Sequence, residues 1–213
     1  MSQTRELMYA ETLLDIAMNH SDSLVIEAID GNKRAQGKLV SLWYKRVYNF
    51  SFKYFADHDL ATEISQKTFI SMYRNISRLQ SADSFKAWIY RIVTNYCHEE
   101  TRRQKRKNKR SEVDIESEEI EGKQAVELQY NPEKQFKKNE LSELLLEALN
   151  TLAPEQKEVV IMKEYEGLKF REIADILQLS ENTVKSRLYY GLKSLKKILT
   201  RRNITKETVD YEL

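Results

Sequence analysis

The fold is decided at Gly167–Leu199, which reads GLKFREIADILQLSENTVKSRLYYGLKSLKKIL. Apolar residues recur at helical spacing on both sides of the short segment 178–180. They are Ile173, Ala174, Ile176 and Leu177 before it, and Val184, Leu188, Leu192 and Leu195 after it. Ser180 is a suitable N-cap, because its hydroxyl can accept a hydrogen bond from a backbone N–H two or three residues later. The pattern predicts a helix-turn-helix over residues 170–191, with these apolar residues in the core.

The second helix of this motif carries basic, polar and aromatic side chains opposite its apolar residues. Hydrogen-bond donors at the start of such a helix suit the edges of bases in a major groove. The candidate DNA contacts are Lys169, Arg171, Glu181, Asn182, Thr183, Lys185, Ser186, Arg187, Tyr189 and Tyr190. The solvated side of an amphipathic helix has the same pattern, so the motif alone leaves both interpretations open.

The composition of the 213 residues favours an all-α protein. Five glycines and two prolines leave little material for tight turns between strands. Cys97 is the sole cysteine, which excludes an internal disulfide, and no apolar run reaches the roughly 20 residues needed to span a bilayer. Because the first residues also lack the pattern of a secretory signal, we expect a cytoplasmic protein without membrane insertion.

Charge is distributed unevenly, although the formal net charge is only +2. The basic run RRQKRKNKR at residues 102–110 is followed directly by the acidic segment Glu112–Glu121. Few large apolar residues accompany these charges, which is typical of a linker. We therefore expect two small helical domains joined by a flexible charged linker. The predicted segments are an N-terminal extension (1–22), a first domain (23–104), the linker (105–138), a second domain (139–201) and a C-terminal tail (202–213).

The first domain shows the apolar spacing of four helices. The four stripes are Leu24, Val25, Ala28 and Ile29; Leu39, Leu42, Trp43, Val47, Phe50 and Tyr54; Ala61, Ile64, Phe69, Met72 and Ile76; and Phe85, Trp88, Ile89, Ile92 and Tyr96. Asn75–Ser84 is predicted to be a loop. The polar side of the third helix, with Glu63 and Gln66, meets solvent by default but would also suit a partner helix.

Four segments in a fixed order give these features a family resemblance. They are AIDGNKRAQGKLVSLWYKRVYNF (Ala28–Phe50), DLATEISQKTF (Asp59–Phe69), SFKAWIYRIVTNY (Ser84–Tyr96) and LNTLAPEQKEVVIMKEYEGLKFREIADILQLSENTVKSRL (Leu149–Leu188). Together they resemble the sigma-70 family of bacterial RNA polymerase sigma factors, in its compact extracytoplasmic-function (ECF) form. The resemblance implies that the first domain is region 2 and the second domain is region 4.

Such a protein is not an enzyme, and the resemblance implies no catalytic residue, metal or cofactor. It implies promoter DNA, an anti-sigma factor and core RNA polymerase as partners, the last through the β′ clamp helices and the β flap. Region 4 is expected to read the minus-thirty-five element with the residues named above. The implied minus-ten contacts are Asn75, Ser77, Arg78, Ser84, Phe85, Arg91, Asn95, His98 and Arg102. The implied polymerase contacts are Asp59, Glu63, Gln66, Lys67 and Phe69.

Several residues depart from the family pattern. Lys67 stands where an acid is usual, Lys169 stands at the usual Ser/Thr cap, Gln178 replaces a turn glycine and Tyr190 replaces an arginine. Two other classes of protein would share parts of the sequence pattern. One is a dimeric helix-turn-helix repressor or activator that does not bind polymerase, and the other is a protein interaction module. Neither needs the segment Ala28–Tyr96.

Overall fold

A computed structural model describes residues 22–111, 142–202 and 204. Most of the predicted extension, linker and tail lie outside these residues. All regular elements within the described ranges are helical, which confirms the predicted all-α fold. The helices are α1 (22–29), α2 (Lys33–Phe55), α3 (His58–Asn75), α4 (Phe85–Ser111), α5 (142–150), α6 (Pro154–Val160), α7 (Phe170–Leu177) and α8 (Glu181–Arg201). None of them is long and apolar enough to cross a membrane.

Side-chain caps explain where the helices of the first domain begin. Asn32 Oδ1 accepts from the backbone N–H of Arg34 at 3.0 Å, and Asp57 Oδ1 accepts from that of Leu60 at 2.9 Å. Between α3 and α4 the predicted loop contains two short 3₁₀ turns, Ile76–Arg78 and Ala82–Ser84. Helix α4 continues to Ser111, beyond the predicted end of the first domain at residue 104.

The core of the first domain forms where α2 packs against α3 and α4. Trp43 lies edge-on to Phe85 and Tyr90, with ring centroids 5.4 and 6.0 Å apart. Leu42 was predicted to belong to the same stripe, and this prediction is wrong, because its side chain is 55% exposed. The adjacent Trp43 fills the core position instead, since neighbouring residues on a helix point about 100° apart.

The helix-turn-helix forms in the second domain as predicted. Gln178 takes the left-handed conformation (φ 55°) after α7, and Ser180 Oγ accepts from the backbone N–H of Thr183 at 3.1 Å to start α8. Leu192 is the exception in the predicted core, because it is 41% exposed. Gly191 faces α6 in its place, and a Cβ atom there would lie 2.9 Å from Val160 Cγ2.

The two domains pack against each other. Helix α4 contacts α7, and α2 contacts the π-helical turn Ile161–Tyr165 that continues α6. At the centre of this contact the buried Lys157 Nζ donates to the backbone oxygen of Tyr54 and to Asn150 Oδ1, both at 2.9 Å. Burial lowers the pKa of Lys157 to about 8.

Candidate nucleic-acid interface

The outward face of α8 has the geometry of a recognition helix. Its exposed side chains include Asn182, Lys185, Ser186, Tyr189 and Tyr190. The two tyrosine rings meet edge-to-face with centroids 5.4 Å apart. Lys193, Lys196 and Lys197 extend the same exposed face towards the C-terminus of the helix and were left out of the predicted site. Their spacing from Tyr189 and Tyr190 was a signal that could have found them.

Arg187 lies away from this face. Its Nη1 atom is 3.2 Å from Oε1 of Glu158, a buried carboxylate of α6. Its predicted place beside the groove-reading residues is therefore wrong for this conformation, because the side chain points back towards the core. The pair aligns α8 with α6 instead.

At the start of α7, Lys169 and Arg171 are both exposed. The Lys169 backbone N–H donates to Glu172 Oε2 at 2.6 Å, so a glutamate three residues later caps this end of the helix. Partial burial opposes the ionisation of Glu172. Hydrogen bonds from Lys86 and from the Lys169 backbone outweigh that effect and lower the pKa of Glu172.

A cleft of about 470 Å³ opens beside the 75–84 loop. Its lining residues are Ser71, Asn75, Arg78, Leu79, Gln80, Ser84, Trp88 and Ile92. Three of the predicted minus-ten residues, Asn75, Arg78 and Ser84, are thus brought together, and Ser77 is exposed nearby. Phe85 is a correction, because it is 2% exposed and packs on Trp43, where DNA cannot reach it.

Four of the implied minus-ten contacts recur at helical spacing along one side of α4 and form a cationic line: Arg91, Asn95, His98 and Arg102. This line is divided between solvent and the second domain. Asn95 and Arg102 are exposed. Arg91 instead donates from Nη2 to the backbone oxygen of Asp175 at 2.7 Å and from Nε to that of Ile176 at 3.3 Å, which caps the end of α7. In this conformation the prediction that Arg91 faces DNA is therefore wrong.

His98 is engaged by the second domain as well. Its Nε2 atom lies 2.6 Å from Oε2 of Glu158, the carboxylate that also pairs with Arg187. The prediction that His98 faces DNA is wrong for this conformation too. Two further contacts join the domains: Lys86 Nζ to Glu172 Oε1 at 2.8 Å, and the Tyr90 hydroxyl donating to Glu166 Oε2 at 2.6 Å. Burial and the Glu166 carboxylate raise the pKa of Tyr90.

The polar face of α3 carries most of the residues assigned to polymerase binding. Asp59, Gln66 and Lys67 are exposed, and Lys67 Nζ lies 2.6 Å from Glu63 Oε1. The hydrogen bond and charge of Lys67 lower the pKa of Glu63. Phe69 is a correction, because it is buried and its ring stacks on Tyr44. The sequence analysis did not identify Ile70 and Tyr73, which are exposed on the same helix. A search for apolar stripes assigns these two residues neither to the buried face nor to the polar face of α3.

Comparisons with known proteins agree with this architecture. Residues 39–107 match the family model of sigma-70 region 2, and residues 142–195 match that of sigma-70 region 4. RNA polymerase sigma-H factor of Pseudomonas aeruginosa is 26% identical over 180 residues, which are 84% of this chain and 93% of the relative. ECF RNA polymerase sigma-E factor of Escherichia coli K12 is 28% identical over 177 residues, 82% of this chain and 92% of the relative.

Two solved complexes contain a similar fold. CnrH bound to the cytosolic domain of CnrY gives a TM-score of 0.61 at 20% identity, covering 85% of this chain and 97% of the other. The sigma factor RpoE of Bartonella quintana, bound to the anti-sigma factor NepR, gives a TM-score of 0.59 at 23% identity. This match covers 77% of this chain and 96% of the other. With its two matched regions, this chain belongs to the sigma-70 family. It is an RNA polymerase sigma factor of the ECF type, a transcription initiation factor and not an enzyme.

Proposed function

We propose that the second domain reads the minus-thirty-five promoter element with the outward face of α8. Asn182 and Ser186 would reach base edges, while Lys185 and Lys193 would contact phosphates. The observation that carries this proposal is the exposure of this whole face beside a capped helix-turn-helix. Lys169 and Arg171 add cations at the edge of the same surface and would fix the position of the domain on the duplex.

The first domain would bind the minus-ten element as a partly single-stranded segment. The cleft beside the 75–84 loop combines apolar walls with polar groups, which suits a base taken out of the stack. Asn95 and Arg102 are exposed on α4 and would hold the backbone of the non-template strand. Flipping a base costs a few kcal/mol, and such contacts can offset that cost without a fuel molecule.

Polymerase docking would use the exposed face of α3. Asp59, Glu63 and Gln66 offer hydrogen-bond acceptors to a partner helix, and Ile70 and Tyr73 offer apolar area next to them. We assign this face to the β′ clamp helices and expect the second domain to meet the β flap. Lys67 pairs with Glu63 in the free protein, so docking there must compete with this ion pair.

Domain packing would keep the free protein from binding DNA with its full surface. Arg91 and His98 reach DNA only after the second domain leaves α4, because their polar atoms now bind Asp175, Ile176 and Glu158. An anti-sigma partner that stabilises the packed state would therefore block promoter binding, and the solved complexes noted above support such a partner here. We expect the protein to act in the cytoplasm, where polymerase is found.

Run-off transcription with sigma-free bacterial core polymerase tests the proposal. We expect the full chain to direct transcription from promoters that share upstream and minus-ten sequences. The double substitution Lys185→Ala, Ser186→Ala should abolish the dependence on the upstream sequence. Lys38→Ala with Ser41→Ala, which changes the same residue types on the exposed side of α2, is the matched control. Transcription absent from a verified core, together with symmetric duplex binding by the chain alone, would favour a dimeric repressor instead.

A further inference from the structure

The polar groups that join the two domains are sorted by their chemistry. Those of the first domain are hydrogen-bond donors on α4, namely Lys86, Tyr90, Arg91 and His98. Those of the second domain are acceptors, namely the carboxylates of Glu158, Glu166 and Glu172 and the backbone oxygens of Asp175 and Ile176. We call these two sets of groups the domain seam. Lys157 is the exception among the described contacts, because it donates from the second domain to the first.

Opposite charges face each other across the domain seam. Lys86 Nζ lies 2.8 Å from Glu172 Oε1, and the two side chains are 42% and 36% exposed. Lys53 adds a cation on α2, close enough to Glu166 for their charges to interact. Arg91 binds the C-terminal end of α7, which carries the negative end of the helix dipole. The first domain therefore presents positive charge to negative charge on the second.

Dissolved salt weakens attractions of this kind. Ions screen exposed charges beyond about 10 Å at an ionic strength of about 0.1 M and beyond about 3 Å at about 1 M. Because Lys86 and Glu172 are open to solvent, ions reach this pair directly. Apolar burial, as in the packing of Trp43 on Phe85, does not depend on charge screening. Rising salt should therefore loosen the contact between the domains while each domain stays folded.

We propose that the domain seam makes this chain responsive to ionic strength: rising salt shifts the free protein from the packed to the separated arrangement and uncovers Arg91 and His98. The inference rests on the proposed role of domain packing in restricting DNA binding. It adds a physical signal that acts on the chain before any partner binds. One exposed ion pair contributes little, but the attractions across the seam have the same polarity, so their losses add.

Distance measurements on the full chain test this inference. Spin labels are attached at Lys45→Cys and Lys196→Cys, which are exposed positions outside the domain seam, whereas Cys97 is buried. At fixed pH, raising potassium chloride from about 0.05 to about 0.5 M should increase the ratio of separated to packed molecules about 5-fold or more. Sucrose at equal osmolality is the control for water activity and should not increase this ratio.

A charge reversal assigns the response to the domain seam. Lys86→Glu would place a carboxylate opposite Glu172, while an acid at the start of α4 suits the helix itself. We expect fewer packed molecules at low salt and less than about half of the wild-type response to salt, because salt then also screens a repulsion. Lys38→Glu makes the same change of charge on the exposed side of α2, near the end far from Lys53, and should keep the wild-type response.

The outcomes separate this inference from the proposal beneath it. A ratio that stays within about 2-fold over this salt range overturns the inference. A full wild-type response in Lys86→Glu also overturns it, as do equal changes in the two variants, since salt would then act through the net charge of the chain. Promoter binding by the polymerase holoenzyme judges the proposed function separately. If the distances respond to salt but Arg91→Ala leaves promoter binding unchanged, the response to ionic strength stands and the DNA role of Arg91 fails.

Discussion

The outward face of α8 and the cationic line of α4 look alike in the sequence but differ in the folded chain. Both place polar and basic residues at helical spacing opposite an apolar stripe. On α8 that face is exposed, whereas on α4 two members of the line, Arg91 and His98, bind the other domain. Periodicity within a helix predicts which residues share a face. It does not predict what packs on that face, because that depends on residues far away in the chain.

Glu158 links helix α8 to helix α4 through Arg187 and His98, and its loss should have the largest effect. Glu158→Ala leaves Arg187 and His98 without the carboxylate that both now contact and opens a cavity in α6. We expect a loss of about 3 kcal/mol in the free energy of unfolding, measured by chemical denaturation. Glu155→Ala, on the exposed side of the same helix, should change it by less than about 0.5 kcal/mol. Equal effects of the two substitutions would contradict the linking role.

The free face of α8 should be the more sensitive surface in promoter binding. Lys185→Ala with Ser186→Ala should weaken binding of polymerase holoenzyme to its promoter about 30-fold, because base and phosphate contacts are lost together. Gel-shift titration at fixed salt measures this. Repeating it on a promoter with a scrambled upstream element should show little further loss, and a full further loss would mean that α8 does not read that element.

Packing of the two domains should depend on pH through Lys157. Burial holds its pKa near 8 in the packed state, and exposure on separation would return it to the ordinary 10.5. The packed state binds fewer protons, so it is penalised below pH 8 and becomes more favourable as the pH rises from 8 to 10.5. We expect the ratio of packed to separated molecules to rise by up to about 10-fold per pH unit in this range.

Spin-label distances between Lys45→Cys and Lys196→Cys, one in each domain, would follow this transition. Cys97 and Tyr54, which lie beside Lys157, have pKa values raised by burial, so neither is expected to ionise in the packed state over this range. Lys157→Met should weaken the pH dependence, leaving the smaller part expected from Lys53, whose pKa is also lowered by burial where it contacts Tyr165. A pH dependence unchanged in that variant would assign the titration to another group.

Arg91 offers the smallest and most direct test of the divided line on α4. Arg91→Ala removes its hydrogen bonds to the end of α7, so the separated population should rise about 5-fold in the same label experiment. Arg102→Ala, at the exposed end of the line, should leave the domain distance unchanged. Equal effects of the two substitutions on the domain distance would contradict the distinction between the members of the line that bind the second domain and those that are exposed.

Local signals predicted much of the fold. Helix α4 starts at Phe85 and α8 starts after Ser180, as apolar spacing and capping chemistry indicated. The errors have local causes too. Apolar spacing placed Phe85 and Phe69 in buried stripes, while the family pattern also assigned them to binding surfaces. Both rings are buried, packing on Trp43 and Tyr44 respectively, so the assignment from spacing is confirmed and the one to surfaces is wrong. Each of the two positions therefore stabilises the surface from beneath.

The contacts between the domains were beyond prediction from spacing. Arg91 meets the end of α7 more than 80 residues later in the chain, and its partners there are backbone oxygens. Backbone oxygens leave no mark in a sequence, since every residue has one. The hydrogen bond of Asn75 is a second example. The sequence places this residue in a polar segment, whereas its hydrogen bond to the backbone oxygen of Ser71 appears only in the folded chain.

Gly191 allows helix α8 to approach helix α6 closely. It lies midway along α8, at the point where that helix touches α6, with room for hydrogen alone beside Val160. A single added methyl group would act as a wedge there and swing the two ends of the helix in opposite directions. The half that carries Asn182 and Ser186 would then meet a groove at another angle. Under the proposed function, the angle at which α8 meets DNA therefore depends on the absence of a side chain at Gly191.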